Sequence, residues 1–272
     1  MNENYTKANA LCTPSKLPAS DYVINPYIGC THRCVYCYAC FMGRFTGHTE
    51  KWGTYIEPKK YDTYKLPKKI NGKTILIGSV TDGYNPAEKR YRLMPPILEA
   101  LAQCQAHVEI LTKSSLVLRD IELLKRIPDI TVGISLSNLN DDDNRVIEPG
   151  AASAAERIHA LRELHKMGIK TYLFVAPYLP GITSLQDLYA ALDGAIDYMC
   201  IENLNLRGSY KRPMLDIINK LHPEVYDLWN HIYVKKCAGQ YWRYVEEQIH
   251  SMEQEISIPL ISYLYHDKIK KS

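Results

Sequence analysis

The sequence predicts an α/β fold in which six parallel strands, joined by crossover helices, curve into a partly closed barrel. Two observations carry this. Short apolar, β-branched runs alternate with helix-like stretches along most of the chain, the pattern of repeated strand–helix units. No linker or low-complexity segment divides the 272 residues, and their 46% hydrophobic and 23% charged content is ordinary for a globular chain with its own core.

The first strand is expected in "YVINPYI" (22–28). "TILIGSV" (74–80) follows and leads into the helix-like "MPPILEALAQC". "HVEILTK" (107–113) precedes "SLVLRDIELLKRI", and "ITVGISLS" (130–137) precedes "SAAERIHALRELHKMG". "IKTYLFVAP" then leads to "SLQDLYAALDG", and "AIDYMCIEN" to "RPMLDIINKLH". Within 153–167, Ile158, Leu161, Leu164 and His165 share a helix face, with Ser153 placed to cap the start and Gly168 to end it. The remaining residues read as helical with a short apolar end, "SIPLISYLY". The expected organisation is an N-terminal extension over 1–20, the barrel over 21–210, and a mostly helical extension over 211–272 packed on it. Chemistry in such a barrel collects at the C-terminal ends of the strands.

Apolar runs such as "TYLFVAPYL" fall far short of the ~20 residues that span a bilayer, and the polar start "MNENYTK" lacks a signal peptide's apolar segment. A cytoplasmic chain with no membrane role is expected. Thiols stay free in a reducing cytosol, so clustered cysteines there point to metal ligands or redox groups rather than disulfides. A net charge of +3 does not require nucleic acid, although the lysine-rich "EPKKYDTYKLPKK" and the tail "HDKIKKS" supply local positive surface. The 21 tyrosines against 3 phenylalanines suit ring stacking and core filling alike.

Four of the eight cysteines, Cys30, Cys34, Cys37 and Cys40, fall in "NPYIGCTHRCVYCYAC" (25–40), on the loop after the first expected strand. Cys30, Cys34 and Cys37 have the spacing C-x3-C-x2-C, which can wrap three thiolates around one face of a cubane cluster and leave one iron open to a non-protein ligand. Zinc sites generally use two ligand pairs a dozen or more residues apart, whereas Cys12, Cys104, Cys200 and Cys237 stand isolated. A compact zinc knot of all four clustered thiols is the competing reading.

With Tyr36 before its last cysteine, this motif resembles the cluster motif of the radical S-adenosylmethionine (SAM) superfamily. "SVTDGYNPAE", "LTKSSLVLRD", "VGISLS" and "APYLPGIT" follow in order near expected strand ends. The series resembles the spore photoproduct lyase-like branch and, more closely, the small radical SAM proteins of mobile gene pairs (mobile pair protein B-like). It spans roughly residues 20 to 206, about two thirds of the chain. The resemblance implies a partial (β/α)6 TIM-like barrel with a helical C-terminal extension. It implies a [4Fe–4S] cluster on Cys30, Cys34 and Cys37, SAM at the open iron, and reductive cleavage to a 5′-deoxyadenosyl radical that abstracts a substrate hydrogen. An external electron donor of flavodoxin or ferredoxin type belongs with that chemistry. Repair or modification of nucleic acid is the leading substrate expectation. The alternatives are modification of a peptide or protein together with a second radical SAM protein, and a non-catalytic four-cysteine metal or electron-transfer protein.

On the same resemblance, Ser79, Thr81 and Asp82 match the segment that receives the SAM amino group, the plain alternative for Asp82 being an Asx-turn. Lys113, with Ser135 and Ser137 at the end of the next strand, is placed for the SAM carboxylate or ribose. Tyr36 and Tyr38 are candidates for adenine or substrate contact, and packing around the cluster accounts for either. Cys200, in "YMCIENLNLRGSY", is a candidate hydrogen-atom donor at a motif position different from that of the lyase branch, with core packing as its alternative. "RFTGHTEKWG" (44–53) brings Arg44, His48 and Trp52 near the cluster. Two departures stand out. Where "EP" is often followed by arginine this chain has "IEPGAAS", so Gly150 supplies no cation and carboxylate recognition falls to Lys113 or to a group the motifs do not identify. Cys40 is an added thiol that reads as a fourth ligand, a reactive group or a buried inert cysteine.

Overall fold

The computed structural model describes residues 5–192, 194–235 and 237–265, so the basic tail "HDKIKKS" lies outside the described residues. Its strands are β1 (Thr6–Ala8), β2 (Thr13–Pro14), β3 (Tyr22–Ile24), β4 (Tyr27–Ile28), β5 (Glu57–Tyr61) and β6 (Thr74–Ile77). They continue with β7 (His107–Thr112), β8 (Asp129–Ser135), β9 (Lys170–Tyr178), β10 (Tyr198–Asn203) and β11 (Leu260–Tyr263). A large sheet runs β11-β10-β9-β8-β7-β6-β3-β2, and a small one runs β1-β5-β4. Within the large sheet every pairing from β3 through β6 to β11 is parallel, and only the edge strand β2 runs antiparallel; in the small sheet β1 pairs parallel and β4 antiparallel with β5. Six strands in sequential order with helical crossovers, and edges that do not meet, make the partial barrel of an α/β fold.

Alternation along the strands sorts the residues into two faces. Ile75, Ile77, Val108, Ile110, Val132, Ile134, Leu173, Val175, Met199 and Ile201 are all but inaccessible. They pack in one core with the helices Met94–Leu101, Ala154–Lys166, Leu185–Leu192 and Gly239–Glu253. Each such side chain contributes about 1.5–3 kcal/mol by leaving water. The opposite, concave face carries Glu109, Gly133, Ser135, Tyr172, Phe174, Tyr198, Cys200 and Glu202, so polar chemistry is confined to the inside of the curve.

Two elements differ from the sequence expectation. The first strand is two, because Pro26 has no N–H to give to a ladder: β3 pairs with β6 in the large sheet, while β4 pairs with β5 in the small one. The apolar end of the chain forms β11, which pairs with β10 with Leu260 opposite Met199. Four residues are too few for a period to show, so that strand is set by the exposed edge of β10 rather than by its own pattern. The helix Ala154–Lys166 begins in a capping box, with Ser153 and Glu156 bonding each other's backbone N–H, and Gly168 follows it at φ +77°. No described helix is long and apolar enough to cross a membrane.

Gly133 lies directly beneath the Tyr172 ring, where a Cβ would meet the ring's Cζ at 2.1 Å. Gly133→Ala is therefore expected to lower stability by roughly 1–3 kcal/mol, through overpacking in the barrel wall, as read from urea unfolding.

Candidate active site

The cysteine-bearing loop has little regular structure of its own and is clasped to the loop after β6 by four side-chain contacts. Asn25 Nδ2 donates to Ser79 Oγ at 2.9 Å, and Thr81 Oγ1 donates to the Gly29 carbonyl at 2.7 Å. Thr31 Oγ1 donates to Asn85 Oδ1 at 2.8 Å, and His32 Nε2 meets Asp82 Oδ2 at 2.8 Å. Both oxygens of Asp82 are spoken for. They accept from Tyr84 N, Thr112 Oγ1 and Lys113 N, each at 2.8 Å, besides His32. Burial alone would raise the Asp82 pKa, but the pull of His32 and of the Lys113 and Tyr84 N–H groups holds it below the usual carboxylate range. The Asx-turn geometry at Asp82 is present, and the carboxylate faces the protein rather than the barrel opening.

A second charged centre lies on the other side of the cysteines. Glu148 Oε2 sits 2.7 Å from Arg157 Nη2, and Glu148 Oε1 accepts from the Tyr36 hydroxyl. Lys113 Nζ donates to Ser135 Oγ at 2.7 Å, lies 3.8 Å from Glu148 Oε1, and stands 5.9 Å over the Tyr36 ring. Glu148 would be pushed up by burial, yet Arg157 first and Lys113 next pull its pKa below the ordinary value. Arg157 is wholly buried and also donates to the Ala152 and Ser135 carbonyls at 2.7 and 2.8 Å. Gly150 joins the two centres. Its N–H donates to the His32 carbonyl at 2.8 Å, its own carbonyl faces His32 Nδ1 at 2.8 Å, and a Cβ there would lie 2.3 Å from the Thr31 oxygen.

The thiols sit between these centres. Burial pushes Cys30 up to about 12, Cys34 well above its ordinary value and Cys37 upward. Asp82 adds to the rise at Cys30 and Glu148 to that at Cys34, and Cys34 also feels both other thiols. Among the described residues no three His, Cys, Asp or Glu side chains converge on the place of one metal ion.

Of the residues singled out from the sequence, Tyr36, Lys113 and Ser135 come together beside Cys34. Ser79 and Thr81 are engaged by the cysteine loop. Ser137 Oγ is buried with no partner among the described residues. Tyr38 is half exposed, with its hydroxyl donating to the Ser79 carbonyl. Cys40 Sγ lies 3.8 Å from Ser209 Oγ. His48 stacks on Tyr55 at 3.7 Å and pairs with Glu50 and Glu57, which gives it a local structural task. Cys200 lies apart from the clasp, on the concave face, where burial, then Glu109 and Glu202, push its thiol up to about 12. Sequence reading passed over Asn25, His32, Asn85, Glu148 and Arg157. His32 and Asn25 lie inside the quoted cysteine motif, and Glu148 is the acid of the "EP" pair, so only Arg157 lacked a local signal.

A model of the family described as the radical SAM superfamily matches residues 24–192. A protein of Methanocaldococcus jannaschii is 35% identical over 254 residues, covering 92% of both chains. The radical SAM Nα-GlyT isomerase of Pseudomonas phage M6 is 31% identical over 167 residues, which are 60% of this chain and 34% of the phage protein. A solved spore photoproduct lyase with bound AdoMet and dinucleoside spore photoproduct superposes with a TM-score of 0.55 at 19% identity, over 78% of this chain and 64% of the lyase chain. That likeness is one of fold. The matched segment runs from the end of β3 to the helix Leu185–Leu192 and so contains the cysteine loop, the clasp and both charged centres: the chain belongs to the radical SAM superfamily.

Proposed function

We propose that this chain uses a [4Fe–4S] cluster on Cys30, Cys34 and Cys37 to cleave SAM reductively and abstract a hydrogen from its substrate, in repair or modification of nucleic acid. The observation that carries the reading is one loop bearing three thiols, held by side-chain bonds against the loop that follows β6, which is itself tied to the end of β7. The C-x3-C-x2-C spacing on one loop suits a cluster, which takes one thiolate at each of three irons, better than a zinc site built from two separated ligand pairs. When bound, cluster and SAM together supply the 5′-deoxyadenosyl radical, with the electron coming from an external flavodoxin or ferredoxin.

The chain's own residues bind, orient and shield. Lys113 presents a cation beside Cys34 and is the candidate for the SAM carboxylate, which a glycine at position 150 cannot serve. Ser135 holds the ammonium in place from one side and Glu148 from the other. The unpartnered Ser137 hydroxyl, at the end of the same strand, is available to a SAM hydroxyl or amine. Ser79, Thr81 and Asp82 act through position: their side chains fix the cysteine loop, and SAM is left with what their backbone exposes. Tyr36 stands where an adenine or ribose would pack. Cys200 is proposed as a hydrogen-atom source from its place on the concave face, opposite Phe174 on β9. The nucleic-acid substrate is supported by a fold that, in the lyase, accommodates a dinucleoside.

Anaerobically reconstituted, reduced protein given SAM should release 5′-deoxyadenosine and methionine. A reducible cluster that binds SAM but yields no 5′-deoxyadenosine with any reductant would overturn the reading. Cys30→Ala, Cys34→Ala and Cys37→Ala should each lose the intact cluster by iron and sulfide analysis, whereas Cys40→Ala should keep cluster and cleavage, which separates the three-thiolate site from a four-cysteine carrier. Lys113→Ala should keep its iron yet bind SAM about tenfold to a hundredfold more weakly, the loss of one charged hydrogen-bond partner. Asp82→Ala should show the reverse pattern, poor cluster retention, because it leaves His32 buried without its partner.

A further inference from the structure

Phenylalanine is used three times in this chain, and two of the three are on the surface: Phe45 is 75% exposed and Phe41 36%. Both lie just after the last cysteine of the motif, in the turn and helix Tyr38–Thr46. With Tyr38 they form a row. The Tyr38 and Phe41 rings stack with centroids 6.3 Å apart, and Phe45 meets Phe41 edge-on at 6.2 Å. The row has an inner end, because the Tyr38 hydroxyl donates to the Ser79 carbonyl and feels Cys37 and Glu202, at the mouth of the barrel. It has an outer end in water at Phe45. Arg44 is exposed on the same segment, Arg33 just before it and Lys51 just after it, and among the described residues none of them has a carboxylate partner.

A solvated loop gains nothing from two bare phenyl rings, and patches of this kind mark interaction sites. Exposed ring faces beside uncommitted cations are what unpaired nucleic acid requires, the rings for bases and the cations for phosphates. The position favours a substrate over an electron donor. A reductant has only to come near the cluster, whereas a polymer must place one unit inside the mouth and leave its neighbours outside, along a path that starts there.

We propose that Tyr38, Phe41 and Phe45, with Arg33, Arg44 and Lys51, form a track for the single-stranded nucleotides that flank the reacting one. This deepens the nucleic-acid reading above and rests on it. The test uses the anaerobically reconstituted full chain and a fluorescein-labelled thymidine 20-mer, read by anisotropy against the same sequence as a duplex. Single strand should bind more tightly than duplex. Phe41→Ala and Phe45→Ala should each weaken single-strand binding about fivefold or more, with Phe45→Trp retaining it. Arg44→Gln should make the salt dependence shallower by about 0.7 in log–log slope. Release of 5′-deoxyadenosine without substrate, measured in parallel, should not change in any of these variants. Loss of that release with single-strand binding intact would count against the radical chemistry and leave the track standing. Cleavage-competent protein that ignores the 20-mer would overturn the track. So would a Phe45→Ala variant that binds the 20-mer normally but is reduced slowly by flavodoxin, an outcome that assigns the surface to the reductant.

Discussion

The buried contact between His32 and Asp82 is the one on which the rest of the site depends. The loop from Gly29 to Cys37 has no ladder to hold it, so its shape must come from elsewhere. Asp82 supplies that shape because it is itself fixed twice: by Tyr84 within its own turn, and by Thr112 and Lys113 at the end of β7. The thiol positions are thereby inherited from two neighbouring strands of the large sheet. A buried carboxylate survives only with its lone pairs satisfied, and four internal donors meet that demand. The same saturation means that the carboxylate has little left to offer a ligand, which is why its position matters more than its charge.

Glu148 repeats the arrangement on the far side of the cysteines, with Arg157 and Lys113 in place of His32. Each carboxylate makes a thiolate near it harder to form, Asp82 at Cys30 and Glu148 at Cys34. The two centres are not independent. Two residues after Glu148, Gly150 bonds His32 through both its N–H and its carbonyl, at a separation no side chain would allow. A position that looks in the sequence like a missing cation is in the structure a backbone contact that only glycine can make.

Much of this was legible in the sequence, and the remainder was not for identifiable reasons. Six strands and their helices could be read because each carries a buried apolar run or face of its own, as in Val108 and Ile110 or in Leu161 and Leu164. The division of 22–28 at Pro26 and the strand at Leu260 escaped because pairing partners decide them, not local pattern. The cysteine spacing announced itself, being local. The roles of Asn25, His32 and Asn85 did not, since each is defined by a residue at least 50 positions away. Arg157 was hidden most completely. In a helix whose periodicity is otherwise apolar, an arginine reads as surface charge, yet it is inaccessible and sits on the buried face.

Three of the 21 tyrosines, uninformative as composition, acquire a specific physical task in the structure. Tyr27 donates to Glu88, Tyr36 to Glu148 and Tyr172 to Glu109. Glu88 is inaccessible and Glu148 nearly so. A buried carboxylate can be satisfied by another cation, but each added charge carries its own desolvation cost. A phenol instead brings a ring that packs as well as phenylalanine does, and a neutral hydroxyl that fills a lone pair. Replacing any of these three tyrosines by phenylalanine would keep the packing and leave an acceptor short. Phenylalanine is then left to the places where no acid needs a donor: Phe174 on the concave face, and Phe41 and Phe45 in the open beside the barrel mouth. At these three positions the choice of ring is set by the acid the fold must satisfy internally, and phenylalanine stands where there is none.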